Sequence, residues 1–281
     1  MEPQPDGTGK GGTVVRKKKN GYLITGGILS ALLTVVIVTG FFWTPYSTTA
    51  MNAKEKMQPP SPAHLFGTDN FGRDLFSRVM QGAGTSFLIA FLVVLIGCSA
   101  GILTGALCGY FGGTADLILM RICDTITAFP AILLALVIIS IAGSNEANII
   151  LALGILFIPS FARVVRTQYA GIRDLNYIKS ARLMGVRVPR ILYAHILPNT
   201  LPVLVPAMTI GFNNAVLAEA GMSFLGIGIQ PPQASLGSML RDSQNYLTQA
   251  PWYALSTGFT MVLMILAFSL LSEGIQQRSS K

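Results

Sequence analysis

Charge is what this sequence has least of. Only 11% of its 281 residues are Asp, Glu, Lys or Arg, while 51% are hydrophobic. Soluble domains carry roughly 25% charged residues, so the composition indicates a membrane protein. Acid is scarcer than base: 12 Asp and Glu stand against 20 Lys and Arg, a net charge of +8. That surplus does not imply a nucleic-acid partner. Most Lys and Arg sit between or beside apolar runs, where the positive-inside bias accounts for them.

Metal-ligating residues are also few. The chain has two His and three Cys, with no Cys-x-x-Cys spacing and no His pair. Cys98, Cys108 and Cys123 lie in or beside apolar runs and read as small packing residues. His64, Asp69 and Asp74 are not spaced to put three ligands on one helix face. A capped, solvated helix is the expectation there. Phosphate loops are absent as well. Gly7-Thr8-Gly9-Lys10-Gly11 lacks the G-x4-G-K-[ST] spacing, and Gly226-Ile227-Gly228 has no third glycine. No metal, cofactor or catalytic residue is assigned to this chain.

Long apolar runs are what the sequence does have. Residues 22–43 are uncharged and long enough to cross ~30 Å of hydrocarbon. A cleaved signal peptide is not expected, since the run is too long and no small-x-small site follows. Residues 44–85 form an external segment, in which Phe71, Leu75 and Val79 repeat at i, i+4 and i+8. That spacing predicts an amphipathic helix on the membrane surface. The second span covers 86–111, with Gly97, Gly101, Gly105 and Gly109 forming a groove for a close neighbour. The third covers 116–143 in two parts divided at Pro130, with Arg121 and Asp124 expected to pair. The fourth covers 148–162, with Arg163 and Arg166 snorkelling at its inner end. The fifth covers 200–218 and the sixth 251–271, where Trp252 and Tyr253 are placed at the outer interface. Residues 241–250 read as a polar outer loop.

Six crossings put both termini in the cytoplasm. Inner segments then hold 15 of the 20 Lys and Arg, which supports that orientation. The expected division is a basic cytoplasmic tail at 1–21, a first span and external segment at 22–85, a five-helix core at 86–275 and a cytoplasmic tail at 276–281. Within that core, residues 219–240 break the helical pattern at Gly226-Ile227-Gly228 and Pro231-Pro232. Irregular backbone at this depth must be buried in protein or line a water-filled cavity. Asn213, Asn214, Glu219, Met222 and Gly226 are therefore candidates for a translocation path.

The most informative stretch is NYIKSARLMGVRVPRILYAHILPN, residues 176–199, inside the basic loop 166–199. Tyr177, Ala181 and Met184 fall on one side of a helix. Gly185 suits a left-handed helix end, Pro189 the first turn of the next helix, and Pro198 its end or the start of the following one. The reading is helix, glycine turn, helix at the inner membrane surface.

This stretch resembles the coupling loop of bacterial ABC importer permeases, E-A-A-x3-G-x9-I-x-L-P. Lys179, Ser180 and Ala181 occupy the first three positions, Gly185 the glycine, His195 the Ile, and Leu197-Pro198 the end. HLFGTDNFGRDLFSRV from His64, MSFLGIGIQPP from Met222 and AHILPN from Ala194 resemble the second permease of oligopeptide, dipeptide and nickel importers. Leu236 stands where these permeases usually have Trp, and the tail reads SEGIQQ instead of the usual N-x-x-G-D-G-L-R-D type.

The resemblance covers about residues 20–275. It implies an all-α polytopic protein of the type I ABC importer permease fold in a bacterial cytoplasmic membrane, surrounded by lipid. It also implies a second homologous permease, two cytoplasmic ATPases that bind ATP and Mg, and an extracytoplasmic binding protein. Tyr177, Ala181, Leu183 and Met184 would form the docking face and Gly185 would set its angle. Arg182, Arg187 and Arg190 would meet acidic or phosphate groups. Di- or oligopeptide is the first substrate expected; nickel or a metal chelate is the alternative, since Met222-Ser223-Phe224 resembles nickel permeases. Two other classes are a stand-alone ion-coupled carrier, which should show inverted repeats and midplane ionisable residues, and a non-transporting scaffold.

Overall fold

The computed structural model describes residues 21–279. The basic tail expected at 1–21 lies outside them except for Gly21. The described chain is helical, with α1 at Gly21–Phe42, α2 at Leu75–Phe111, α3 at Gly113–Thr127, α4 at Ala131–Ala142 and α5 at Glu146–Ile172. Then follow α6 at Asn176–Leu183 and α7 at Val188–Arg190, which passes through a wide π turn at Ile191–Ile196 into α8, Leu197–Phe224. The last two are α9 at Leu236–Ser243 and α10 at Pro251–Ser279. Five segments are long and apolar enough to cross a membrane. The pair α3 and α4, bent by 89° about Pro130, makes a sixth when counted as one span.

Glycine decides how the spans meet. Along α2, Gly97, Gly101, Gly105 and Gly109 press against α5. A Cβ added at Gly101 would sit 2.5 Å from the Phe161 Cβ, and one at Gly109 would sit 2.5 Å from the Arg166 carbonyl oxygen. No larger residue allows that approach, which gives the backbone contact that lipid-embedded helices rely on. Gly26 of α1 and Gly274 of α10 do the same for each other's helices, against Leu270 and Leu23. Cys98, Cys108 and Cys123 are buried free thiols within this packing.

Several expected boundaries move. The surface helix over residues 64–79 does not form. Residues 64–74 are a folded loop closed by a bridge between Thr68 and Asp74, and α2 begins at Leu75 and runs 37 residues without a break. Leu75 and Val79 are buried, so their spacing reports a core-facing stripe. Asp74 does cap this helix, accepting from the Ser77 N–H at 2.8 Å, but it is buried, as are His64 and Asp69. The three are not a solvated face: His64 Nδ1 lies 2.9 Å from Asp74 Oδ1, while Asp69 turns to Arg73. The fourth span reaches Ile172, because Arg163 and Arg166 stay inside α5 and pair with Asp124 and Asp116. Asp124 is thus taken by Arg163, 39 residues away, and not by Arg121. Residues 241–243 are helical, and Tyr253 is fully buried instead of lying at an interface.

Candidate functional site

The basic loop folds as its sequence suggests. Helix α6 ends in a left-handed Gly185, φ 75°. Gly185 N–H donates to the Arg182 carbonyl at 3.0 Å, and Val186 N–H to the Ala181 carbonyl at 3.1 Å. This pair of bonds is the Schellman closure, which satisfies carbonyls that a helix end would otherwise leave open. A Cβ at Gly185 would meet nothing within 4 Å. The position therefore requires glycine for its backbone angle and not for space. Pro189 sits in the first turn of α7, where the missing N–H costs nothing.

The turn holds two apolar side chains in the open. Leu183 is 89% exposed and Met184 76%. Tyr177 is also exposed, as are Lys179, Ser180, Arg182, Arg187, Arg190 and Pro198, while His195 and Leu197 are half-buried. Ala181 departs from its expected role. With Ile178 it is buried on the underside, which leaves Tyr177, Leu183 and Met184 as the exposed apolar side chains around the turn.

Anchors that the sequence reading missed fix this loop to the bundle. Arg182 Nε donates to Tyr110 Oη at 3.1 Å, and its guanidinium lies 4.7 Å over the Tyr110 ring. Arg173 Nη1 donates to the Gly109 carbonyl at 3.1 Å, at the C-terminal end of α2. Tyr169 Oη donates to the Leu192 carbonyl in the π turn at 3.1 Å. Ile178, Ile191 and Ile196 are fully buried beneath. These contacts tie the loop to α2, α5 and the helical run that leads into α8. No periodicity marks Tyr110 or Tyr169, because each acts on a segment at least 23 residues away.

A polar stripe runs along the surface where α3, α5 and α8 meet. Arg163 Nη2 donates to Asp124 Oδ1 at 3.0 Å and Thr127 Oγ1 at 2.7 Å. All three residues are exposed or nearly so, as are Ser160 and Asn214. Two adjoining grooves of about 380 and 260 Å3 share Phe157, Ser160 and Asn214. Lipid is a poor neighbour for such groups, and they belong against protein or a water-filled passage.

Of the five candidates for a translocation path, only Asn214 lines these grooves. Asn213 donates from Nδ2 to Ser269 Oγ at 2.7 Å. Glu219 and Met222 are fully buried. Gly226 sits in a left-handed turn against the Arg241 guanidinium. Glu219 and Met222 are thus enclosed within this chain, while Asn213 is half-buried beside α10. Ser160 lines both grooves beside Asn214, and Thr127 lines the larger. A serine in an apolar span gave no distinct sequence signal.

Residues 101–281 match the family described as binding-protein-dependent transport system inner membrane component. The chain is 36% identical to the dipeptide transport system permease protein DppC of Alkalihalophilus pseudofirmus, over 92% of this chain and 85% of that one. It is 37% identical to the glutathione transport system permease protein GsiD of Pectobacterium atrosepticum, over 89% and 84%. A solved structure described as inward-facing conformations of the MetNI methionine ABC transporter aligns with a TM-score of 0.61 and 20% identity, covering 73% of this chain and 97% of that chain. That likeness is one of fold.

Proposed function

Because this chain belongs to the binding-protein-dependent transport system inner membrane component family and is a permease of an ABC importer, we propose that it forms half of a peptide translocation pore. The relatives named for dipeptide and glutathione transport favour a short peptide over nickel. A homologous permease covers the stripe through Ser160, Asn214 and Thr127, and the peptide passes between the two chains. ATP and Mg bind in two cytoplasmic ATPases, which dock on the loop around Gly185.

The observation that carries this reading is the pair Leu183 and Met184, held exposed by the Gly185 turn and backed by buried Ile178 and Ala181. Such a knob suits a cleft on a partner. Its mounting on one continuous helical run, from α7 through the π turn into α8, Val188 to Phe224, suits a lever. Closure of the ATPases moves the knob, and the packed spans switch between discrete arrangements. Asn214 and Ser160 offer hydrogen bonds to peptide groups without holding them by charge.

The test is reconstitution. The tagged chain is purified from its native membrane with its co-recovered permease and ATPases and placed in liposomes. ATP-driven uptake of a labelled dipeptide, dependent on the binding protein, is expected. A chain that purifies alone, while a control complex stays intact, refutes the reading.

A further inference from the structure

The opposite face of the membrane holds a separate site. Residues 44–74 and 225–250 lie on the side away from the Gly185 turn and meet over the start of α2. A cavity of about 300 Å3 lies between them. Arg73, Arg78 and Arg241 line it, with Pro232, Gln233 and Asp242. It shares no residue with the grooves along Ser160 and Asn214.

The charges in this cavity do not cancel. Asp69 lies 2.6 Å from Arg73 Nε and 3.6 Å from Arg78 Nε, so one carboxylate serves two guanidinium groups. The Arg78 side chain is only 3% exposed. Its Nη1 donates to the Thr48 carbonyl at 3.1 Å, and its Nε makes no hydrogen bond. Arg241 is exposed and makes no ion pair among the described residues. Asp242 faces all three arginines, yet burial raises its carboxyl above the ordinary range against their pull. Three cations against two carboxylates leave one positive charge in a partly closed space, and a buried unsatisfied guanidinium N–H invites an acceptor.

We propose that this cavity is a socket for an acidic side chain of the extracytoplasmic binding protein. The inference rests on the importer reading above and names where its delivery partner docks. A guanidinium fork matches the two oxygens of a carboxylate. The occupant belongs to a docked protein and not to the cargo, because the socket shares no lining residue with the grooves along Ser160 and Asn214. A peptide held there would lie off its path.

The socket's wall is tied to the spans. Pro231 and Pro232 belong to the segment between α8 and α9. Ile229 N–H donates to Ser223 Oγ and Leu236 N–H to Ser86 Oγ, each at 3.1 Å. Both serines in turn donate to Glu219 in α8. A side chain filling the socket therefore bears on the helix that carries the Gly185 turn.

The experiment uses the whole transporter in nanodiscs with its own binding protein, reading ATPase rate against binding-protein concentration. Arg241→Glu should raise the half-maximal concentration about tenfold, Gln233→Glu should raise it by less, and Gln233→Lys should lower it. Added salt should weaken the wild-type response. Arg241 and Gln233 are exposed, and size exclusion checks that each variant complex is intact. If intact variants stay within about twofold of wild type, the socket is overturned while the importer reading stands. If the wild type shows no stimulation, the importer reading falls and the socket with it. An amidated peptide distinguishes the other source of carboxylate: uptake that drops with amidation in wild type, but not in Arg241→Glu, assigns the socket to cargo and overturns the proposal.

Discussion

Glu219 Oε2 accepts a 2.8 Å hydrogen bond from Ser86 Oγ, joining residues 133 positions apart inside the bundle. Ser223 Oγ donates to Glu219 Oε1 at 2.6 Å. Because each serine also accepts a backbone N–H from the segment following α8, one buried carboxyl group holds α2, α8 and the outer segment together. Glu219→Ala leaves both hydroxyls without an acceptor and opens a void. The expected loss of stability is about 2–4 kcal/mol. Glu219→Gln keeps the shape and one acceptor and should lose less than half of that. Thermal unfolding in detergent, followed by intrinsic fluorescence, ranks the two. Equal losses would show that the second acceptor, and not the filled volume, carries the stabilisation.

Gly101 gives the sharpest test of the glycine groove. Gly101→Ala must push Phe161 away, since the new Cβ would lie 2.5 Å from the Phe161 Cβ. The cost is about 1–3 kcal/mol, as for overpacking elsewhere. Gly27→Ala meets nothing within 4 Å and replaces a helix breaker with a helix former, so it should be neutral or stabilising by up to about 1 kcal/mol. Paired melting curves check the contrast. A Gly101→Ala variant that melts as high as Gly27→Ala would mean that α2 and α5 do not pack this closely.

Gly185 should separate stability from coupling. Gly185→Val forces a β-branched residue into the left-handed region, at a cost of about 1–2 kcal/mol or more. No neighbour blocks the side chain, so the protein still accumulates in the membrane. The turn changes its angle, and ATP hydrolysis runs without matching uptake. Gly185→Asn tolerates the same φ and should retain most coupling. The ratio of peptide transported to ATP hydrolysed is the measurement. Normal uptake in Gly185→Val would remove the lever.

Ser160 and Asn214 should answer to water-soluble thiol reagents. In the assembled transporter, Ser160→Cys and Asn214→Cys are expected to react, and peptide should slow the reaction. The native Cys98, Cys108 and Cys123 are buried and should stay silent. Mass spectrometry of labelled peptides reads all five positions. Labelling that is absent from both new cysteines in every nucleotide state would put the stripe against protein alone.

The sequence by itself determined the class of the protein, the number of crossings, and the shape of the inner loop. These rest on local rules: an uncharged run must leave water, positive charge stays inside, and Gly185 ends a helix through its own backbone. The four glycines of α2 were legible for the same reason, as a repeat every fourth residue on one face. The start of α2 was not. Phe71, Leu75 and Val79 have one spacing on a surface helix and on a buried one, and only the packing of the folded loop 64–74 distinguishes them. Tertiary structure also decided the partners of charge. Asp124 meets Arg163 and Asp116 meets Arg166 because α3 lies beside α5, a fact no neighbouring residue encodes. It likewise turned Glu219 inward and Asn214 outward, five residues apart on one helix. Both are polar residues in an apolar run, and which one is left open in the groove depends on the helix that covers the other.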